Sequence, residues 1–225
     1  MNVLKDKISS VFFKYAIPSI LGMLAISSAS IVDGFFVGNY VGASGLAAIN
    51  ISLPIFSLLF GLTLMLSVGS SVISGKLMAQ GEVKSASVMF SKTLITVLIF
   101  SLVSCSFLLF NIEMILGLFG AKEELLLLST NYLSVILFFI PFLMVGMVLD
   151  YFVKVDNRPM LAFGALLSSA FINIILDWFL IVYLEQGIFG AALATGISQI
   201  ALIVILLPHF FSKKLVLIYN HTLKL

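Results

Sequence analysis

The sequence predicts an all-α integral membrane protein, a bundle of six transmembrane helices, and three observations carry that expectation. Of 225 residues, 61% are hydrophobic and 10% charged, against roughly 45–50% and about 25% in soluble domains; mean hydropathy is +1.23. Six apolar runs are each long enough to cross a hydrocarbon core of about 30 Å, which needs about 20 helical residues. The basic residues fall in alternate links between those runs, as membrane insertion requires. A net charge of +2 gives no basis for nucleic-acid binding, and the single Cys105 excludes an internal disulfide.

The first run spans residues 12–38, after a short N-terminal segment, 1–11, carrying Lys5 and Lys7. Lys14 and Pro18 interrupt its early part, so it reads as a retained helix, not a cleaved signal peptide. The second run, 46–72, is rich in Ser, Thr and Gly; Asn50, Ser52, Ser67, Ser70 and Ser71 give it a polar side. The third and fourth, 88–111 and 126–149, are strongly apolar, and Phe138 and Phe139 read as packing or lipid-facing residues. The fifth, 160–183, holds Asn173, Asp177 and Trp178, and the sixth, 189–211, again carries small residues. A tail, 212–225, follows, too short to span.

Eleven of the twelve basic residues belong to one side of this arrangement: Lys5, Lys7 and Lys14, then Lys76, Lys84 and Lys92, then Lys154 and Arg158, then Lys213, Lys214 and Lys224. The other side has Lys122 among Glu113, Glu123, Glu124 and Glu185. Both termini are therefore expected in the cytoplasm, and the chain in the plasma membrane as a multi-pass protein.

Two carboxylates break the apolar pattern. Asp33 and Asp177 lie within spans, where a charged side chain is costly and is usually kept for binding or moving something. With the topology above, Asp33, Asp177 and Thr195 each fall five or six residues from the same boundary, roughly 8–9 Å deep. Asn173 and Asp177 share a helix face, as do Ala191 and Thr195. Carboxylates, an amide, a hydroxyl and a backbone carbonyl make a hard-oxygen set for a small cation, and the carboxylates can take protons instead.

The segments VDGFFVGNYVGASGLAAINISLPIF (32–56) and GLTLMLSVGSSVISGKLMAQGE (61–82), with VDNRP, NIILD and ATGISQ further on, resemble the multidrug and toxic compound extrusion (MATE) transporters over about residues 10–212. The resemblance implies one lobe of a two-lobe, twelve-helix antiporter that exchanges cationic or amphipathic organic compounds for sodium ions or protons. It places a cation site at Asp33, Asn173, Asp177, the Ala191 carbonyl and Thr195, with sodium, where it is the coupling ion, held by Asp33, Asn173, Asp177 and Thr195. Pro18 is the expected bend in the first helix. Such a transporter is about twice this length, so a second six-helix lobe, from another chain or in a homodimer, is the implied partner alongside lipid and organic small molecules. No cofactor is implied beyond the coupling ion.

Two other readings remain. A flippase for lipid or polysaccharide precursors would be expected to place cationic side chains in its cavity, yet the spans hold only Lys14 and Lys92 near their ends. A lobe that serves only as an assembly partner or truncated remnant would need no cavity at all. An enzyme is not expected: there is no phosphate loop, no G-x-S-x-G and no H-E-x-x-H. Gly34, Gly38 and Gly42 read mainly as turn and packing residues, and Trp178 as part of an interfacial belt. Asp150, Asp156, Lys154 and Arg158 read as a solvated link, and His209 and His221 have no paired ligand, so neither suggests metal binding.

Overall fold

Helices account for nearly all of residues 7–211, which the computed structural model describes. The segment 1–6, with Lys5, and the tail 212–225, with Lys213, Lys214, His221 and Lys224, lie outside the described residues. The helices are α1 (Ile8–Tyr40), α2 (Ala43–Ala79), α3 (Val83–Phe110), α4 (Ile112–Leu118), α5 (Glu123–Val155), α6 (Pro159–Asp177), continued by a π-helical stretch, Trp178–Tyr183, and α7 (Gly187–Phe211). Six of them are long and apolar enough to cross a membrane. These coincide with the six runs expected, but most extend further at one or both ends, because helix propensity continues past the apolar stretch until a breaker intervenes.

The links show what those breakers are. Gly42 at φ 95 and Gly81 at φ 84 turn the chain between α1 and α2 and between α2 and α3, in a backbone region where a side chain would be strained. Pro159 opens α6 at a position where its missing N–H costs nothing. The short α4 was not anticipated: Ile112 and Leu116 turn inward there, with Leu116 fully buried, and seven residues are too few to reveal a period.

α5 runs through the middle of the bundle and packs on α2, α3 and α7. Leu133, Leu137, Ile140, Met144, Leu149 and Phe152 of α5 are fully buried. Near the end bearing Lys7, Lys84 and Arg158, here called the basic end, Phe90 stacks on Phe210 at 4.7 Å and meets Phe152 at 4.9 Å. Ser52 and Thr63 of α2 are buried too, each donating its hydroxyl to a carbonyl one turn back. Most of the polar side expected on α2 is thus spent on close helix packing.

α1 sits at the margin. It packs mainly along α6 and touches α2 little beyond their shared turn. The two helices run parallel, and their contacts advance in step: Lys14 meets Asn157, Gly22 faces Leu166, and Val37 packs with Ile181. That register brings Asp33 level with Asp177. It also leaves a cleft between α1 and α2, floored by α5, α6 and α7.

Candidate functional site: a cleft with two intramembrane carboxylates

The cleft has a volume of about 430 Å³ and receives side chains from five helices. Asp33 of α1, Asn50 of α2, Tyr132 of α5, Asn173 of α6, and Thr195 and Gln199 of α7 supply much of its polar lining. Leu53, Phe56 and Phe60 of α2, with Ile26 of α1, supply an apolar wall. Asp33 is half-buried at this surface, whereas Asp177 is completely buried behind it. Both Asp177 oxygens and Oδ1 of Asp33 lack a hydrogen-bond partner among the described residues. Asp177 and Tyr132 are each near enough to Asp33 to feel its charge, and Tyr132 also feels Asp177.

Unpartnered buried carboxylate oxygens are expensive unless something neutralises them. A small hard cation or a proton would do so, and the oxygen donors around the pair suit either. No cluster of three His, Cys, Asp or Glu side chains exists among the described residues, so the set does not fit a tightly held transition metal.

Two serines of the cleft are engaged with backbone carbonyls. Ser169 of α6 donates to the Ser198 carbonyl of α7 at 2.8 Å, and the Ser198 hydroxyl donates to the Thr195 carbonyl, also at 2.8 Å. The first of these bonds ties α6 to α7 where Thr195 and Asn173 enter the cleft, and the second lies within α7. Gly196 completes that seam, because any side chain there would collide with the ring of Phe139.

Of the residues singled out in the sequence, Asp33, Asn173 and Thr195 meet at the cleft, with Asp177 behind them. Ala191 lies instead in a small buried cluster with Val37 and Ile181. α7 is regularly helical at that point, so the Ala191 carbonyl takes part in the helix ladder and keeps a second lone pair. Pro18 lies buried inside α1, a full four turns before Asp33. Trp178 is 53% exposed, stacks on Tyr183 and does not line the cleft.

Sequence reasoning missed Tyr132 and Gln199. Tyr132 is one aromatic in an apolar run and gave no signal, but Gln199 stands four residues after Thr195, on the same helix face, and was legible. The link after α5 also differs from expectation. Asp156 meets His209 Nε2 at 2.8 Å, and Lys154 meets Asp150 at 2.6 Å; both pairs are largely shielded, so this is a packed junction and not a solvated loop. Burial pushes the Asp156 carboxyl above its ordinary range, against the opposing pull of His209 and Arg158.

Six spans, a cleft between the first two, and two carboxylates at a common level define a multi-pass membrane protein with a polar intramembrane cleft. Residues 18–179 match the MatE family model. The chain belongs to the MATE family of transporters. It is 26% identical over 216 residues to the multidrug export protein MepA of Staphylococcus aureus, covering 96% of this chain and 48% of that protein. A solved MATE in complex with MaD3S superposes with a TM-score of 0.88 at 25% identity, over 94% of this chain and 47% of the other. A MOP superfamily transporter from Pyrococcus furiosus shares the fold, with a TM-score of 0.90 at 24% identity, over 97% and 48%. The chain therefore spans about half the length of the curated relatives it matches, and corresponds to one of two lobes.

Proposed function

We propose that this chain is the cation-coupling lobe of a multidrug antiporter, in which a sodium ion or proton at Asp33 and Asp177 drives export of cationic or amphipathic organic compounds. The observation that carries the reading is the chemistry of the cleft. Among the described residues its only charged lining residue is the Asp33 carboxylate, flanked by amides, hydroxyls and aromatic rings, with no basic side chain in its wall. Such a surface attracts cations and repels the phosphates a precursor flippase would carry. The likeness to MepA, named as a multidrug export protein, supports the same substrate class.

In this reading the coupling ion bridges Asp33 and Asp177, assisted by Asn173 and Thr195, and relieves their unpartnered oxygens. Ion entry draws α1 toward α6 at the level of Asp33, with Pro18 as the place where α1 bends, because proline removes one helical hydrogen bond there. Neutralising the Asp33 carboxylate removes the charge that holds an organic cation in the cleft, and the cation is released. A second six-helix lobe, from another chain or a second copy, would complete the cavity and allow alternating access. Both termini of the lobe lie in the cytoplasm, and the plasma membrane is the site of action.

The test is ethidium extrusion from efflux-deficient cells by a two-lobe transporter carrying this lobe, with Asp33→Asn at matched membrane abundance. The reading requires cation-driven efflux that disappears in the variant. Unchanged efflux in Asp33→Asn would sink it.

A further inference from the structure

At the basic end, α1 is fastened to the rest of the lobe by one side chain. Asn157, in the link between α5 and α6, accepts hydrogen bonds at its Oδ1 from Lys14 Nζ at 2.7 Å and from the Tyr15 hydroxyl at 3.0 Å. It does so from φ 61, a left-handed conformation that Asn tolerates better than most residues. Its neighbour Asp156 is paired with His209 near the end of α7. The three-residue link between α5 and α6 is thus tied to α1 on one side and to α7 on the other.

The position along α1 gives this junction its meaning. Lys14 stands four residues before Pro18, so its carbonyl is the one whose helical donor the proline removes. Beyond Pro18, the buried residues of α1 are Gly22, Ala29 and Val37, small side chains lying along α6, while many large apolar ones face outward. Within a bilayer, apolar contacts between helices compete with equally apolar lipid, so hydrogen bonds weigh more in deciding where a helix is held. Among the described residues, side-chain hydrogen bonds from α1 to another helix or link occur only at Asn157.

We propose that Asn157 is a positioning residue that clamps the first two turns of α1 to the α5–α6 link and α7. The segment up to Lys14 and Tyr15 moves with the bundle, and the helix beyond Pro18 is the part free to shift. The consequence for transport, a fixed pivot beneath a mobile α1, rests on the antiport reading above. The clamp itself does not, and can be tested without transport.

Hydrogen exchange on the purified chain in lipid nanodiscs reads it directly. Asn157→Gly keeps the left-handed backbone but deletes the acceptor, whereas Asn157→Asp keeps both an acceptor and tolerance of that conformation. The expected result is a roughly five- to tenfold faster exchange of amides in residues 8–17 in Asn157→Gly, with residues 23–40 unchanged and with protection restored in Asn157→Asp. Tyr15→Phe, which removes a single hydroxyl and is safe for folding, should give a smaller rise confined to the same segment. Unchanged exchange in residues 8–17, an equal rise across all helices, or no rescue by Asn157→Asp would each overturn the proposal. Such results would leave the cation-site reading untouched.

Discussion

Substituting Gly196 by Ala probes how tightly the cleft is built. A Cβ at this position would stand 2.7 Å from Cδ1 of Phe139 and closer still to two other carbons of its ring, all well inside contact distance. The nearest atoms include the ring carbon closest to the backbone, so a simple swing of the ring does not clear the space. Phe139 is itself 8% exposed and packed between α5 and α7, so the helices must separate. Overpacking of this sort costs about 1–3 kcal/mol, while Ala in place of a helical Gly returns up to about 1 kcal/mol. The net expectation is a loss of about 1–2 kcal/mol, read as a melting temperature lowered by a few degrees for the purified protein in detergent. Phe139→Leu should tolerate Gly196→Ala better than the parent does, giving a coupling of at least about 0.5 kcal/mol in the double-mutant cycle. A Gly196→Ala protein as stable as the parent, or additive effects of the two changes, would refute the packing argument.

Other outcomes follow from the same geometry. Ser169→Ala removes the bond to the Ser198 carbonyl but leaves that carbonyl its helical donor, so the loss should be about 0.6 kcal/mol and not above about 2 kcal/mol; thermal unfolding in detergent measures it. Asp156 is held above its ordinary carboxyl range by burial, so its protonated form favours the fold, and that contribution is lost as pH rises through the folded value. The stability of the parent relative to Asp156→Asn should therefore fall as pH rises through and above the ordinary carboxyl range, and a rise there would contradict the assignment. Trp178→Ala, on the exposed side of its helix, should leave ligand binding in the cleft unchanged while Tyr132→Phe alters it, as fluorescence titration with an organic cation would report.

Much of this architecture was legible because a bilayer leaves few options. A run of apolar residues must become a helix there, and basic residues must collect on one side, so the number of spans and their alternation follow from composition and spacing. Asp33 and Asp177 were legible for the same reason: charge is conspicuous in that setting, and the shared level of the two follows from counting along α1 and α6. What could not be read was lateral. Nothing in the sequence says that α1 lies on α6 and leaves α2, which is what opens the cleft, nor that Tyr132 points into it. The buried pair of Asp156 and His209 was hidden because the two residues are 53 positions apart and each looks solvated in its own surroundings. Likewise Ala191 shares a helix face with Thr195, yet its side chain packs with Val37 and Ile181, since a face of α7 meets different neighbours at different heights.

The central claim is that Asp33 and Asp177 together hold the coupling cation. A cation balance on the purified protein tests it most directly: retention of radioactive sodium and uptake of protons on one sample, for the parent and for the Asp33→Asn/Asp177→Asn double variant. The account predicts saturable binding of one of the two cations by the parent and its loss in the double variant. Equal binding by both proteins would contradict it.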